Sequence, residues 1–310
     1  MKLPAGFFSR SATRDDLEPI VRLWDACDVA TYGEAAANRE GLLFTWGSHW
    51  FDLTRDTRVV LGADGTLGAY AEISSPDQTD RWEVGVGVHP DLEGRGLGSA
   101  LLTWSEEEAR RRGGSRRIWN GAAAPNRRGI GLLESQGYVH IRTFSQMRID
   151  LDASFGVGPA PEGVMVRSHV PGVDDRAAFE VIDEAFRDHF GWVPESFEDW
   201  WAHQFTDESF DPALGFVAEM DGAVVGAAVN GIIDDAGWVY ELGVRPAWQR
   251  RGIGRALLRA SMAAFAGRGI RMGRLGVDAD NTSGAVDLYR SIGMRPIREW
   301  RVYEKSLSAD

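Results

Sequence analysis

The residues best suited to acid-base chemistry stand close together in the last third of the chain. Glu241 lies in Trp238-Val239-Tyr240-Glu241-Leu242-Gly243-Val244, an apolar run of strand character. A carboxylate with such neighbours loses hydration, which raises its pKa toward neutrality and suits it to act as a general base. The plainer alternative is a solvated acid at a sheet edge. Period-two alternation would set Glu241, Val239 and Gly243 on one face. Tyr289 lies in Leu288-Tyr289-Arg290-Ser291-Ile292-Gly293. A phenol, with an ordinary pKa of about 10, keeps its proton at neutral pH and can pass it to a departing anion. Its bland alternative is a ring packed in the core with the hydroxyl merely satisfied.

Between them runs Gln249-Arg250-Arg251-Gly252-Ile253-Gly254-Arg255-Ala256-Leu257-Leu258, placed after a strand pattern and opening a helical one. Glycines let the backbone turn sharply and approach a ligand, and the unpaired N-H groups of a first helical turn favour an anion. Arg250, Arg251 and Arg255 would add charge-assisted contacts to phosphate oxygens. The chain has no Gly-Lys-Ser/Thr as a P-loop would require, and Gly94-Arg95-Gly96-Leu97-Gly98 breaks the Gly-x-Gly-x-x-Gly dinucleotide spacing.

The elements that would hold these residues occur twice. Val86-Gly87-Val88-His89-Pro90, Gly94 to Gly98 and Ala100-Leu101-Leu102 return as Leu242-Gly243-Val244-Arg245-Pro246, Arg251 to Gly254 and Ala256-Leu257-Leu258, at an offset of about 156 residues. Ser135-Gln136-Gly137-Tyr138 answers to Ser291-Ile292-Gly293-Met294. Each copy reads as a helix (Leu17, Ile20, Val21 and Trp24; Phe179, Ile182, Ala185 and Phe186), two strands joined at Asp64-Gly65 or Asp221-Gly222, the strand before the Gly-rich loop, and then helix, strand, short helix and strand. That alternation predicts an α/β class. Gly156 to Gly163 is rich in turn formers and predicts a linker between domains 1–155 and 164–310.

At these residues the chain resembles the GNAT superfamily of acyl-CoA-dependent N-acyltransferases, in a tandem arrangement. The hallmark Gln/Arg-x-x-Gly-x-Gly/Ala is met fully by Gln249 to Gly254 and partly by Glu93 to Gly98, where Glu93 replaces its first residue; a second feature is matched by Asn281 and the Tyr289 segment. The resemblance implies two domains, each a central mixed β-sheet flanked by helices, and acetyl-CoA as co-substrate. The pyrophosphate would rest on the backbone from Arg250 to Arg255, including Gly252, Ile253 and Gly254, and pantetheine would run along Glu241, Leu242, Gly243 and Val244, with Gln249, Asn281 and Tyr289 completing the site. It implies the acid role for Tyr289 and the base role, in some members through water, for Glu241. A possible second cofactor site comprises Val86, Val88, Gly94, Arg95, Gly96, Leu97, Gly98 and Ser99. The first copy has Leu133 at the place of Tyr289 and cannot donate a proton there, so chemistry is expected in the second copy.

The acceptor side is read from Asp188-His189-Phe190-Gly191-Trp192 with Phe197, Trp200 and Trp201, and in the first copy from Phe44, Trp46, His49, Trp50 and Phe51. These aromatics either grip a cationic or sugar-like amine or pack a core or interface. A net charge of -12 argues against a general nucleic-acid surface. Cys27, the only cysteine, reads as a small core residue sooner than as a nucleophile. The six histidines, His49, His89, His140, His169, His189 and His203, show no metal-binding spacing, so no metal is expected. No apolar run is long enough to span a bilayer, so no membrane association is expected and the cytoplasm is the expected location. The expectation is an N-acetyltransferase for a primary amine on a small molecule, monomeric or homodimeric. The alternatives are a non-catalytic acyl-CoA-binding regulator or scaffold, and an acyltransferase using a longer acyl-CoA or a protein amine.

Overall fold

The computed structural model describes residues 1–75, 81–113, 117–205, 211–233 and 235–307, with the side chains of 203–205 and of Pro212 left out. In chain order the first copy carries β1 (Phe7–Arg10), α1 (Leu17–Tyr32), α2 (Arg39–Gly47), α3 (Leu53–Asp56), β2 (Thr57–Gly62), β3 (Leu67–Ser74), β4 (Trp82–Val88), α4 (Leu97–Arg112), β5 (Arg117–Ala123), α5 (Arg127–Ser135) and β6 (Val139–Asp150). The second carries β7 (Val164–Ser168), α6 (Asp175–Phe186), α7 (Phe197–Phe205), β8 (Phe216–Met220), β9 (Ala223–Ile233), β10 (Ala236–Val244), α8 (Ile253–Gly267), β11 (Met272–Asp278), α9 (Ala285–Ser291) and β12 (Arg295–Ser306). Local chemistry sets several boundaries. Asp221 and Gly222, both at positive φ (52° and 78°), make the tight β8-β9 turn, and Asn126 caps α5 by accepting from the Gly129 N-H at 2.8 Å.

Two compact units result, and they are not the linear halves of the repeat: one comprises residues 1–143 with 300–310, the other 144–299. The reason is an exchange of last strands. Trp300–Ser306 of β12 pair antiparallel with β5 in the first unit, and Phe144–Asp150 of β6 pair antiparallel with β11 in the second. The expected boundary near residue 158 follows the repeat in sequence, whereas compactness follows these pairings. Gly156 and Val157 are pinned to α8, their carbonyls accepting from Arg259 at 2.6 and 3.0 Å.

Within each unit the sheet is mixed and lies between two helical layers. In the first, Ile20, Leu23, Trp46 and Tyr70 form a core under α1 and α2, while Leu101, Leu102, Ile118 and Leu133 form another under α4 and α5. In the second, Val181, Ile182 and Trp200 pack under α6 and α7; Leu258, Phe265, Leu275 and Tyr289 pack under α8 and α9. Burying each such side chain contributes about 1.5–3 kcal/mol.

Candidate active site

The central strands of each sheet part company. Parallel pairing of β10 with β11 runs from Gly237 opposite Gly273 to Val239 opposite Leu275 and ends there. Beyond that point Glu241 to Val244 remain paired with β9 on their other side. Past Val239 and Leu275 the facing edges of β10 and β11 are no longer paired with each other.

The divergence coincides with a β-bulge. Val239 lies opposite Asn230 while Glu241 lies opposite Val229, so Tyr240 is the extra residue. The expected alternation is corrected here. Val239 packs under α8 and α9, whereas a Cβ on Gly243 would meet Ile182 and Ala185 of α6. Glu241 turns to the α6 and α7 side with Gly243, because the bulge shifts the alternation by one residue. Its Oε2 accepts from the Trp200 indole Nε1 at 2.9 Å. Burial drives the Glu241 carboxyl up to about 7; the Trp200 hydrogen bond opposes this and nearby Glu195 adds to it.

Next comes the Gly-rich loop. Gly252 adopts φ +85° as the N-cap of α8, the left-handed region that favours glycine. Gln249 Nε2 donates to the Val244 carbonyl at 3.1 Å, and Arg255 donates to the Ser291 carbonyl at 3.3 Å. A Cβ on Gly254 would lie 3.4 Å from Leu288 and 3.7 Å from Val244, so loop, strand end and α9 close on one another. Arg250, Arg251 and Arg255 are exposed, and the first-turn N-H groups of Ile253, Gly254 and Arg255 begin the helix. These N-H groups and arginines stand at the wedge where β10 and β11 have separated. Tyr289, on α9, is 8% exposed, and burial pushes its phenol up to about 12. Its hydroxyl has no hydrogen-bond partner among the described residues. Asn281 is placed differently: it accepts from the Ser283 N-H at 2.6 Å and lines a 270 Å³ cavity with Ser145, Asp287 and Glu299, which neither Gly252 nor Tyr289 lines.

The first unit repeats the wedge with altered contents. Its parallel pairing ends at Val84 opposite Asn120, and β4 pairs with β3 without a bulge. Gly96 caps α4 at φ +85°, as Gly252 caps α8. A cavity of about 870 Å³ is lined by Val86, Val88, Gly94, Gly96, Leu97, Gly98 and Ser99 together with Asn120 and Leu133. Arg95 stands in the same loop, and Glu93 accepts from Arg128 at 3.1 Å. Sequence reasoning missed one group here. Tyr70 donates to Glu72 at 2.7 Å and Trp46 Nε1 donates to Tyr70 at 3.3 Å. A Cβ on Gly85 would lie 3.4 Å from the Glu72 side chain. Burial raises the Glu72 carboxyl. The signal was an acid in an apolar strand, the same signal that singled out Glu241.

The profile of the Acetyltransferase (GNAT) family matches the chain twice, over residues 17–138 and 177–294. The chain belongs to the GNAT acetyltransferase family. Mycothiol acetyltransferase of Thermomonospora curvata is 35% identical over 233 residues, covering 74% of this chain and 76% of the relative. Among solved structures, a GCN5-related N-acetyltransferase from Sphaerobacter thermophilus superposes with a TM-score of 0.87 at 32% identity, covering 99% of this chain and 98% of that one. A tandem GNAT protein from the clavulanic acid biosynthesis pathway shares the fold, with a TM-score of 0.72 at 17% identity over 98% of this chain and 99% of that one. Family and relatives make the protein an acyl-CoA-dependent acetyltransferase built of tandem GNAT domains, a family whose co-substrate is acetyl-CoA.

In this GNAT chain the aromatics near the second wedge divide by burial. Trp200 is 2% exposed and belongs to the α6-α7 core, and Phe179 and Phe197 pack beside it. His189 packs against Phe186 with the rings tilted and their centroids 4.4 Å apart, and burial lowers its imidazole pKa. The Cys27 thiol donates to the Val88 carbonyl at 3.3 Å, and burial pushes it up to about 11, so it keeps its proton at neutral pH. Among the described residues no three or more His, Cys, Asp or Glu side chains cluster as a metal site, and no helix is long and apolar enough to cross a membrane. The His203 side chain lies outside the described residues.

Proposed function

We propose that the chain transfers the acetyl group of acetyl-CoA to a primary amine on a small molecule, in the second unit, by direct attack within a ternary complex. The observation that carries this reading is the bulge at Tyr240: it turns Glu241, with its pKa near 7, out of the regular alternation just where the wedge opens. The pyrophosphate rests on the N-H groups after Gly252, with Arg250, Arg251 and Arg255 around it. Pantetheine pairs along Leu242 to Val244. The amine nitrogen attacks the thioester carbonyl, Glu241 takes the proton that nitrogen sheds, the C-S bond breaks, and the Tyr289 hydroxyl protonates the departing thiolate. The products are an amide and free CoA.

The names of the relatives make an amine of the mycothiol type the first acceptor to try. Asp188, His189, Phe190, Trp192 and Trp201 are the proposed acceptor wall. The first unit is proposed as a second acyl-CoA site without turnover: its wedge, its Gly96 cap and its 870 Å³ cavity support binding, and Leu133 supplies no proton. The test combines calorimetric titration of acetyl-CoA into the full chain with release of CoA thiol in the presence of candidate amines. Amine-dependent thiol release that Glu241→Gln and Tyr289→Phe each lower on the order of 10²-fold supports the reading. Binding without release against a broad amine panel would favour the regulatory alternative.

A further inference from the structure

The two wedges differ at their apex. Asn120 and Leu275 hold the same place in the two sheets, each being the last residue of its strand paired in parallel to the strand before it. Leu275 lies buried in the same core as Tyr289. Asn120 is just as hidden, 4% exposed, and lines the cavity together with Leu133, the residue in the place of Tyr289. The first unit thus carries an apolar side chain where the second has a hydroxyl, and an amide where the second has an apolar side chain.

That amide is incomplete. Asn120 Nδ2 is buried and has no hydrogen-bond partner among the described residues. An unpaired buried donor costs stability, and folded chains rarely keep one unless something outside the chain completes it. The cavity supplies the route: its lining extends from Gly96 at the start of α4, past Val86 and Gly87 on the open edge of β4, to Asn120. A ligand with its phosphates at the helix start and an extended arm along β4 ends at Asn120.

We infer that Asn120 reads the acyl end of the ligand in the first unit: its Nδ2 donates to the carbonyl oxygen of an acyl-CoA thioester. This rests on the proposal that the first unit takes acyl-CoA, and adds to it a preference for acyl-CoA over free CoA, whose thiol is a poor acceptor. A carboxamide donates a hydrogen bond but does not surrender a proton, so it holds the thioester without helping thiolate to leave. The first unit becomes a retaining site.

The test is nitrogen-15 NMR on the full chain, following the Asn120 side-chain amide and the Gly96 backbone amide during titration with acetyl-CoA and, separately, CoA. Asn120→Leu, which copies Leu275, assigns the side-chain signal; Asn120→Ser does so if the leucine variant fails to fold. Both signals should move with acetyl-CoA, and the Asn120 signal should move far less with CoA. In calorimetry Asn120→Leu should weaken acetyl-CoA about tenfold at one site and leave CoA unchanged. Movement of Gly96 without Asn120, or equal movement of Asn120 with both ligands, overturns the inference and leaves the first-unit binding site standing. If neither signal moves, the first unit takes no acyl-CoA and the underlying reading fails as well.

Discussion

The indole N-H of Trp200 is aimed at Oε2 of Glu241, 2.9 Å away, from a helix 41 residues earlier in the chain. This one donor stabilises the ionised carboxylate against the desolvation that raises its pKa. Trp200→Phe keeps the ring and removes the donor, so the midpoint of the rise of kcat/KM with pH should move to higher pH. An unmoved midpoint would separate that titration from Glu241.

Glu241 itself sets a pH window. A base must be unprotonated, so kcat/KM should climb as pH rises through about 7 and level off above it. Glu241→Gln should lower the rate on the order of 10²-fold or more.

Stability should move the other way in that variant. The folded carboxyl holds its proton up to about 7, against an ordinary 4.5, so the stability it contributes is whole below 4.5 and is lost as pH rises through 7. Above pH 7, Glu241→Gln should therefore be more stable than the parent, on the order of 2 kcal/mol, and near pH 4 the two should converge. Thermal melts at both pH values check this.

Tyr289→Phe leaves the ring in its core and removes a hydroxyl that has no partner among the described residues. Folding stability should stay within about 1 kcal/mol of the parent, while turnover falls on the order of 10²-fold. Full turnover in a folded variant would take the acid role away from Tyr289.

Arg250 sits at φ +59°, where the matching residue of the first unit is Gly94 at +75°. A side chain in the left-handed region costs about 1 kcal/mol. Arg250→Gly should raise stability by up to about 1 kcal/mol, and it should weaken acetyl-CoA binding by about tenfold through loss of a phosphate contact. Opposite signs in the melt and the titration would mark Arg250 as retained for its charge.

Much of this architecture was legible because its signals are local. The Asp221-Gly222 turn, the Gly252 cap and the apolar stripes of α1 and α6 need only neighbouring residues to act. The bulge at Tyr240 had no glycine or proline to announce it, and it arises where β10 must leave β11 yet stay on β9. Trp200 was legible only as one of the acceptor-side aromatics; its hydrogen bond to Glu241, like the buried Tyr70-Glu72 pair, exists only once separate elements pack. Asn120 looked like an ordinary strand residue until its place at the apex of the wedge was visible.

The exchange of β6 and β12 has a consequence for descent. A gene cut between the copies would encode a first half lacking Trp300–Ser306 and a second lacking Phe144–Asp150. Neither product could close its own sheet. A duplicated copy with Leu133 in place of the tyrosine would ordinarily be free to diverge and vanish, but here its partner borrows a strand from it. Heredity is obliged to keep both.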